Sequence, residues 1–161
     1  MQICFDGIQI EIAEEVLRQF HKCEQHFGED EAGGILLGKK RRDNTYLITE
    51  ITLPNSRDLA GPCFFVRNKD SAQKVIDLKW NESKGIINYL GEWHTHSCKH
   101  PTPSFIDKRL INQIRKDGVS PFEIFLMIIV GQDKNLYIEV TDATYRNRSY
   151  TKCINYGDVV L

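Results

Sequence analysis

The run Ile124-Phe-Leu-Met-Ile-Ile-Val130 constrains the fold more than any other stretch of the chain. It has no polar position, so as a strand it has no face to turn toward water and must be covered on both sides. It is also far too short to cross a bilayer. Residues 122–130 therefore read as a buried central strand, and the rest of the chain must supply its neighbours and its cover. Residues 3–5 and 8–10 flank Asp6-Gly7, a hairpin-type turn. Apolar, β-branched runs at 33–39, 46–53, 63–66, 86–96, 136–144 and 149–156 read as further strands. Helical spacing predicts helices over 11–26 (Val16, Leu17, Phe20, Cys23, Phe27), ended by Gly28, and over 68–81 (Ala72, Val75, Ile76, Trp80), ended by Gly85. A third helix is predicted over 104–116, stopped by Gly118. Several strands are joined by turns that only antiparallel neighbours can use. The predicted class is α/β, a mixed, mostly antiparallel sheet sandwiched between helices, in one domain over residues 1–161.

A chain of 161 residues can bury about 68–70% of the surface its unfolded form exposes, so neither a disulfide nor a metal is needed to hold it together. A metal in such a chain is functional before it is structural. Lysine and arginine number 21 against 22 for aspartate and glutamate, a net charge of −1, which argues against a protein built to neutralise nucleic-acid phosphates. Residues 1–9 lack the basic start and apolar run of a signal peptide, and no membrane partner is expected. The cysteines, Cys4, Cys23, Cys63, Cys98 and Cys153, are odd in number and scattered, never in a C-x-x-C pair. They suit buried or incidental thiols in a reducing cytoplasm, with no structural disulfide.

The chemistry concentrates in Glu92-Trp-His94-Thr-His96, followed after a gap of residues 97–103 by Ser104-Phe-Ile-Asp107. Residues two apart on a strand share a face, so His94 and His96 present their imidazoles side by side and can hold one cation. Asp107 lies one turn into the helix opened by Ser104, where a proline-bearing loop can fold its carboxylate back over the strand end. Two imidazoles and a carboxylate leave a fourth tetrahedral position for water, the catalytic arrangement of zinc. Each part also has a plainer use. A His-x-His pair often marks only hydrogen-bonded imidazoles, and Ser-x-x-Asp is a helix N-terminus in which hydroxyl and carboxylate cap. The combination is more telling, because a further acid stands upstream in Glu31-Ala-Gly-Gly34-Ile-Leu-Leu-Gly38. A water on a zinc ion needs a base to take its proton and return it to the leaving amine, and Glu31 at the mouth of an apolar strand suits that task. Gly33 and Gly34 let other parts of the chain approach this backbone closely.

Glu31 with its glycine-flanked strand, His94-Thr95-His96, the fixed gap, and Ser104-x-x-Asp107 together resemble the JAMM motif of the JAB/MPN metalloproteases. The resemblance implies that His94, His96 and Asp107 hold one zinc ion, that Glu31 is the general acid/base, and that Ser104 stabilises the oxyanion of the tetrahedral intermediate. It covers essentially the whole chain, and the order of elements also looks like the JAB fold. A narrower likeness lies in Phe64-Phe65-Val66-Arg67, the helix over 70–80 and the stretch 85–96. These are similar to the short bacterial JAB peptidases encoded in CBASS anti-phage operons beside a cGAS-like nucleotidyltransferase and an E1–E2-like conjugating protein. The implied activity is cleavage of a conjugate at the nucleotidyltransferase C-terminus by a zinc isopeptidase or peptidase. Ser97 stands where a proline commonly follows the second histidine, and the Cys98-Lys99-His100 loop also departs from the pattern, which bears on substrate fit.

Two other readings are weighed. A deconjugase or precursor processor of a bacterial ubiquitin-like modifier would use the same site. A non-catalytic MPN interaction module would not need all five positions intact. Cys98 and His100 lie near the site without being required as ligands, His21 and His26 fall on the first predicted helix facing solvent or a partner, and Trp93 alternates away from the histidines into the core.

Overall fold

The computed structural model describes residues 1–117, 122–142 and 148–157. Ten strands and three helices follow one another: β1 (Gln2–Phe5), β2 (Ile8–Ile12), α1 (Glu14–Lys22), β3 (Gly33–Lys40), β4 (Thr45–Ile51), β5 (Leu59–Gly61), β6 (Phe64–Val66), α2 (Lys69–Glu82), β7 (Asn88–Thr95), α3 (Phe105–Asp117), β8 (Ile124–Val130), β9 (Asn135–Asp142) and β10 (Ser149–Asn155). An 8-stranded sheet runs in the order β1-β2-β4-β3-β7-β8-β9-β10, and β5 and β6 form a separate hairpin. Most neighbours in the large sheet are antiparallel, whereas β2 with β4 and β7 with β8 run parallel. The α/β class and mixed sheet expected above are those observed.

Strand β8 is buried at every position, and its two faces meet different layers. Leu126, Ile128 and Val130 join the cluster that takes in Val16, Leu17 and Phe20 of α1, while Phe125, Met127 and Ile129 pack with Ile111 of α3. On β3, Leu36 faces the α1 side, and Ile35 and Leu37 pack with Ala72 of α2. The sheet therefore lies between α1 on one face and α2 and α3 on the other. The sheet also curls, since Tyr150 Oη on β10 donates to Asp6 Oδ2 in the β1–β2 turn at 3.0 Å. In that turn Asp6 and Gly7 have φ of 37° and 85°, the left-handed pair that a two-residue hairpin requires.

Several expectations need correction. The first helix is shorter than residues 11–26: Glu11 and Ile12 belong to β2, whose alternating burial and pairing with β1 and β4 continue through Ile12. The helix then stops at Lys22, so His26 lies in the following loop, exposed like His21. Strand β5 carries no strand signal in the sequence because Leu59-Ala60-Gly61 is short and largely exposed. The cysteines are unpaired but not buried; Cys4, Cys63, Cys98 and Cys153 are exposed and Cys23 is half-buried. Gly118, the expected stop of the third helix, and the end of the 136–144 strand lie outside the described residues.

Candidate active site

Strand β7 does two jobs by alternation. Trp93 points into the α1-side core, 1% exposed, with its ring 5.3 Å from Phe20 and its Nε1 donating to Thr52 O at 3.0 Å. Glu92, His94 and His96 point the other way, toward the groove beneath α3. The rings of His94 and His96 stand 5.0 Å apart at 56°, the side-by-side placement that a two-residue period gives. Strand β8 fixes the end of this strand: His96 N–H donates to Val130 O at 2.9 Å.

Asp107 arrives from α3. Its N–H donates to Ser104 Oγ at 3.2 Å, and its Oδ2 accepts from Ser104 N–H at 2.6 Å. This reciprocal pair is a capping box with aspartate in the acidic position, and it turns the carboxylate back toward β7. Asp107 Oδ1 lies 3.2 Å from His94 Nε2 and Oδ2 lies 3.5 Å from His96 Nε2. One donor atom from each of the three residues lies within 4.8 Å of the others, and this is the grouping of its kind among the described residues. His94 Nε2 is buried and makes no hydrogen bond, although the carboxylate oxygen is close: the atoms approach without the alignment a hydrogen bond needs. A buried nitrogen left unpartnered among converging donors fits a cation between them, and two imidazoles with one carboxylate are a donor set suited to a divalent metal.

The Asp107 carboxyl is pushed up by burial, but the close approach of the His94 and His96 imidazoles and the hydrogen bond from Ser104 outweigh that and hold it far below the usual carboxylate range. Such a group stays anionic and available as a ligand.

Glu31 reaches the site from β3. The β3–β7 register sets Gly33 opposite His94, and the ladder continues as Thr95 N–H donates to Ala32 O at 2.8 Å and Ala32 N–H to Thr95 Oγ1 at 2.9 Å. Glu31, one residue further, comes level with His96. Its N–H donates to Gly61 O of β5 at 2.9 Å. Its side chain is 8% exposed. Burial raises its carboxyl above the ordinary value, the His94 and His96 imidazoles pull it down, and the Asp107 carboxylate adds to the rise. Gly33 has to be glycine here, because a Cβ would sit 2.4 Å from a Phe65 ring carbon and 2.8 Å from Trp93 O.

The groove holding these groups has a volume of about 480 Å³. One wall is the β5–β6 hairpin with Phe64 and Val66, and the other is the first turns of α3 with Ile106 and Leu110. All four side chains are exposed to solvent. Arg67, just past β6, pins the hairpin to the histidine strand: its Nε lies 2.8 Å from both Glu92 oxygens and its NH2 lies 2.7 Å from Oε1. Glu92 also accepts from Tyr89 Oη at 2.7 Å. Ser97 and Cys98 line the groove as well. The five positions singled out in the sequence are thus brought together, and the stretch from Phe64 to Arg67 noted there supplies one wall, whereas Ile106 and Leu110 of the other wall are joined to it only by the tertiary fold.

Comparison with known proteins agrees with this geometry. Residues 13–146 match the family described as prokaryotic homologs of the JAB domain. A CD-NTase/cGAS isopeptidase of Escherichia coli is 34% identical over 134 residues, covering 83% of this chain and 82% of that protein. One of Pseudomonas aeruginosa is 35% identical over 113 residues, 68% of each chain. A protein of Desulfitobacterium hafniense, solved in solution, superposes with a TM-score of 0.53 at 18% identity over 91% of this chain and 90% of that one, a likeness of fold alone. The chain is a hydrolase of the JAMM type. It belongs to the prokaryotic JAB family.

Proposed function

We propose that residues 1–161 act as one cytoplasmic catalytic domain, a zinc-dependent isopeptidase that cuts a protein conjugate at the C-terminus of a cGAS-like nucleotidyltransferase. It would thereby reverse conjugation by an E1–E2-like protein in anti-phage defence. The observation that carries this reading is the convergence of His94, His96 and Asp107 around the unpartnered His94 Nε2, in a chain related to proteins named CD-NTase/cGAS isopeptidases. Such a donor set, with a position left open to water, suits zinc. Bound there, zinc supplies Lewis acidity that makes a water nucleophilic near neutral pH.

The chain's own groups do the rest. Glu31, raised by burial, takes the proton of the attacking water and returns it to the departing nitrogen. Ser104 Oγ accepts from Asp107 N–H, which leaves its hydroxyl proton to donate to the carbonyl oxygen as that oxygen gains charge. The bond broken is the amide C–N, the bond formed is C–O, and no residue becomes covalently linked to substrate. An extended tail fits the groove between hairpin and α3: among the described residues β6 pairs with β5 on one edge only, and a free strand edge binds an extended peptide through its main chain.

The test is a cGAS-like nucleotidyltransferase with its C-terminus extended into a reporter. The wild-type protein should cut at the junction, and Glu31→Gln should do so only at a residual rate seen over long single-turnover incubation. Exchange of the reporter should leave cleavage intact, while changes in the last residues before the cut should alter it. Cleavage that follows a ubiquitin-like reporter instead would replace this substrate with a modifier and leave the site roles standing.

A further inference from the structure

Gln25 sits in the loop between α1 and β3, 2% exposed, and none of the roles above uses it. Its Nε2 donates to Glu29 O at 2.6 Å and to Pro62 O at 3.2 Å. Its Oε1 accepts from Thr95 Oγ1 at 3.4 Å, the hydroxyl that itself accepts from Ala32 N–H at 2.9 Å. One side chain therefore ties three pieces of the site together. Glu29 and Ala32 bracket Glu31. Pro62 is next to Gly61, whose carbonyl takes the Glu31 N–H. Thr95 stands between the two histidines. From the other side, Gln132 Nε2 donates to Gln25 O at 3.0 Å and so holds the residue in place.

The chemistry of the three partners selects an amide. Two carbonyls need two N–H donors and a hydroxyl proton needs an acceptor; a primary amide provides all three on one planar group, a carboxylate lacks the donors, and an aliphatic chain lacks everything. The tip of the loop packs on nothing, since Phe27 is 96% exposed. Its other bonds are made within the loop, as between His26 and Glu29, or to the Gln132–Lys134 turn, so among them the Gln25 side chain is the group that reaches both the hairpin turn and the histidine strand. A base that must come within hydrogen-bond reach of a water tolerates little displacement.

We propose that Gln25 is a positioning residue that sets the reach of the Glu31 carboxylate toward the His94, His96 and Asp107 group by holding the Glu31 loop, the hairpin turn and the histidine strand at fixed separation. This rests on the acid/base reading of Glu31. A double-mutant cycle tests it, using single-turnover cleavage of the nucleotidyltransferase–reporter fusion and metal content measured alongside. Gln25→Met keeps length and bulk while removing all three side-chain bonds. It should lower the rate on the order of 10- to 100-fold with metal retained. In a Glu31→Gln background the same change should cost less than about twofold, because there is no longer a base to misplace. Equal losses in both backgrounds, or a wild-type rate in Gln25→Met, would overturn the proposal. Should Gln25→Met not fold, Thr95→Val, which removes the hydroxyl joining Gln25 to Ala32, is judged by the same two criteria. Glu31→Gln alone reports on the reading beneath: a wild-type rate there removes the acid/base role whatever Gln25 does.

Discussion

The two faces of the central sheet are built from the same strands and follow opposite rules. On the α1 face, Leu36, Trp93, Leu126, Ile128 and Ile138 form one apolar cluster with Val16, Leu17 and Phe20. On the other, the apolar contacts break into two smaller clusters under α2 and α3, and Glu31, Glu92, His94 and Asp107 are buried in the seam. Burying so many ionisable groups is unfavourable unless they pair or bind an ion, so the polar seam draws its support from the apolar face behind it. Adjacent residues of β7 should accordingly fail in different ways.

The largest effects should come from crossing that divide. Trp93→Ala removes a ring packed on Phe20 and orphans the Thr52 carbonyl, and should cost about 3–5 kcal/mol of stability. The double variant His94→Ala with His96→Ala should lose its metal and all cleavage while its melting temperature stays near that of the metal-stripped wild type. Elemental analysis beside a thermal melt reads both. A double variant that keeps one zinc per chain would show the ligand assignment to be wrong, and one that unfolds would show that the two faces are not separable in this way.

Within the polar seam, Glu31→Gln should retain fold and metal and lose on the order of 10²–10⁴ in rate. The substrate then stays bound uncut, which pull-down of the fusion would detect. Wild-type turnover would dissociate Glu31 from the chemistry and leave its burial as a purely structural fact.

Ser104→Ala tests a residue that serves both rules at once. Loss of the cap to Asp107 N–H should cost about 0.5–2 kcal/mol. Loss of the hydroxyl donor should cost on the order of 10²–10³ in rate. Ser104→Thr keeps both hydroxyl functions and should restore most of each. If the rate loss in Ser104→Ala is no greater than the loss of folded protein seen in the melt, the hydroxyl acts as a cap alone.

The sheet, the histidine pair and the helix start at Ser104 are legible in the sequence because each rests on a local rule, whereas Glu31 is distant in sequence and is singled out by the likeness of the whole motif to the JAMM pattern. Burial on both faces of β8, turn chemistry at Asp6-Gly7, and a two-residue period at His94 and His96 all act within a few residues. Errors arose where a local rule competed with a tertiary one. Glu11 and Ile12 fit a helical window, yet their alternation with Ile8 and Ile10 is what the sheet uses. Gln25 lay in a polar run after α1 with nothing to mark it, because its partners Glu29, Pro62 and Thr95 are brought to it only by the fold. The stretch at Phe64 stands out by its likeness, but its use as a groove wall does not: Phe64 and Ile106 are distant in sequence and exposed, so no burial pattern announces that they face one groove.

Those walls should show the smallest and most selective effect. Phe64 and Ile106 are 44% and 62% exposed, so truncating them removes little from the core and should leave stability within about 0.5 kcal/mol of wild type. Their apolar surface is available to a bound tail, and at about 25 cal/mol per Å² a partly covered side chain contributes roughly 1 kcal/mol to binding. Phe64→Ala and Ile106→Ala should each raise KM about fivefold with kcat unchanged, since the contact is made equally before and during bond cleavage. The effect should vanish on a substrate whose tail carries only small polar residues, because such a tail gains nothing from the walls. A fall in kcat at constant KM would instead place the walls in the catalytic machinery, and the division between a chemical seam and a separate recognition surface would then be lost.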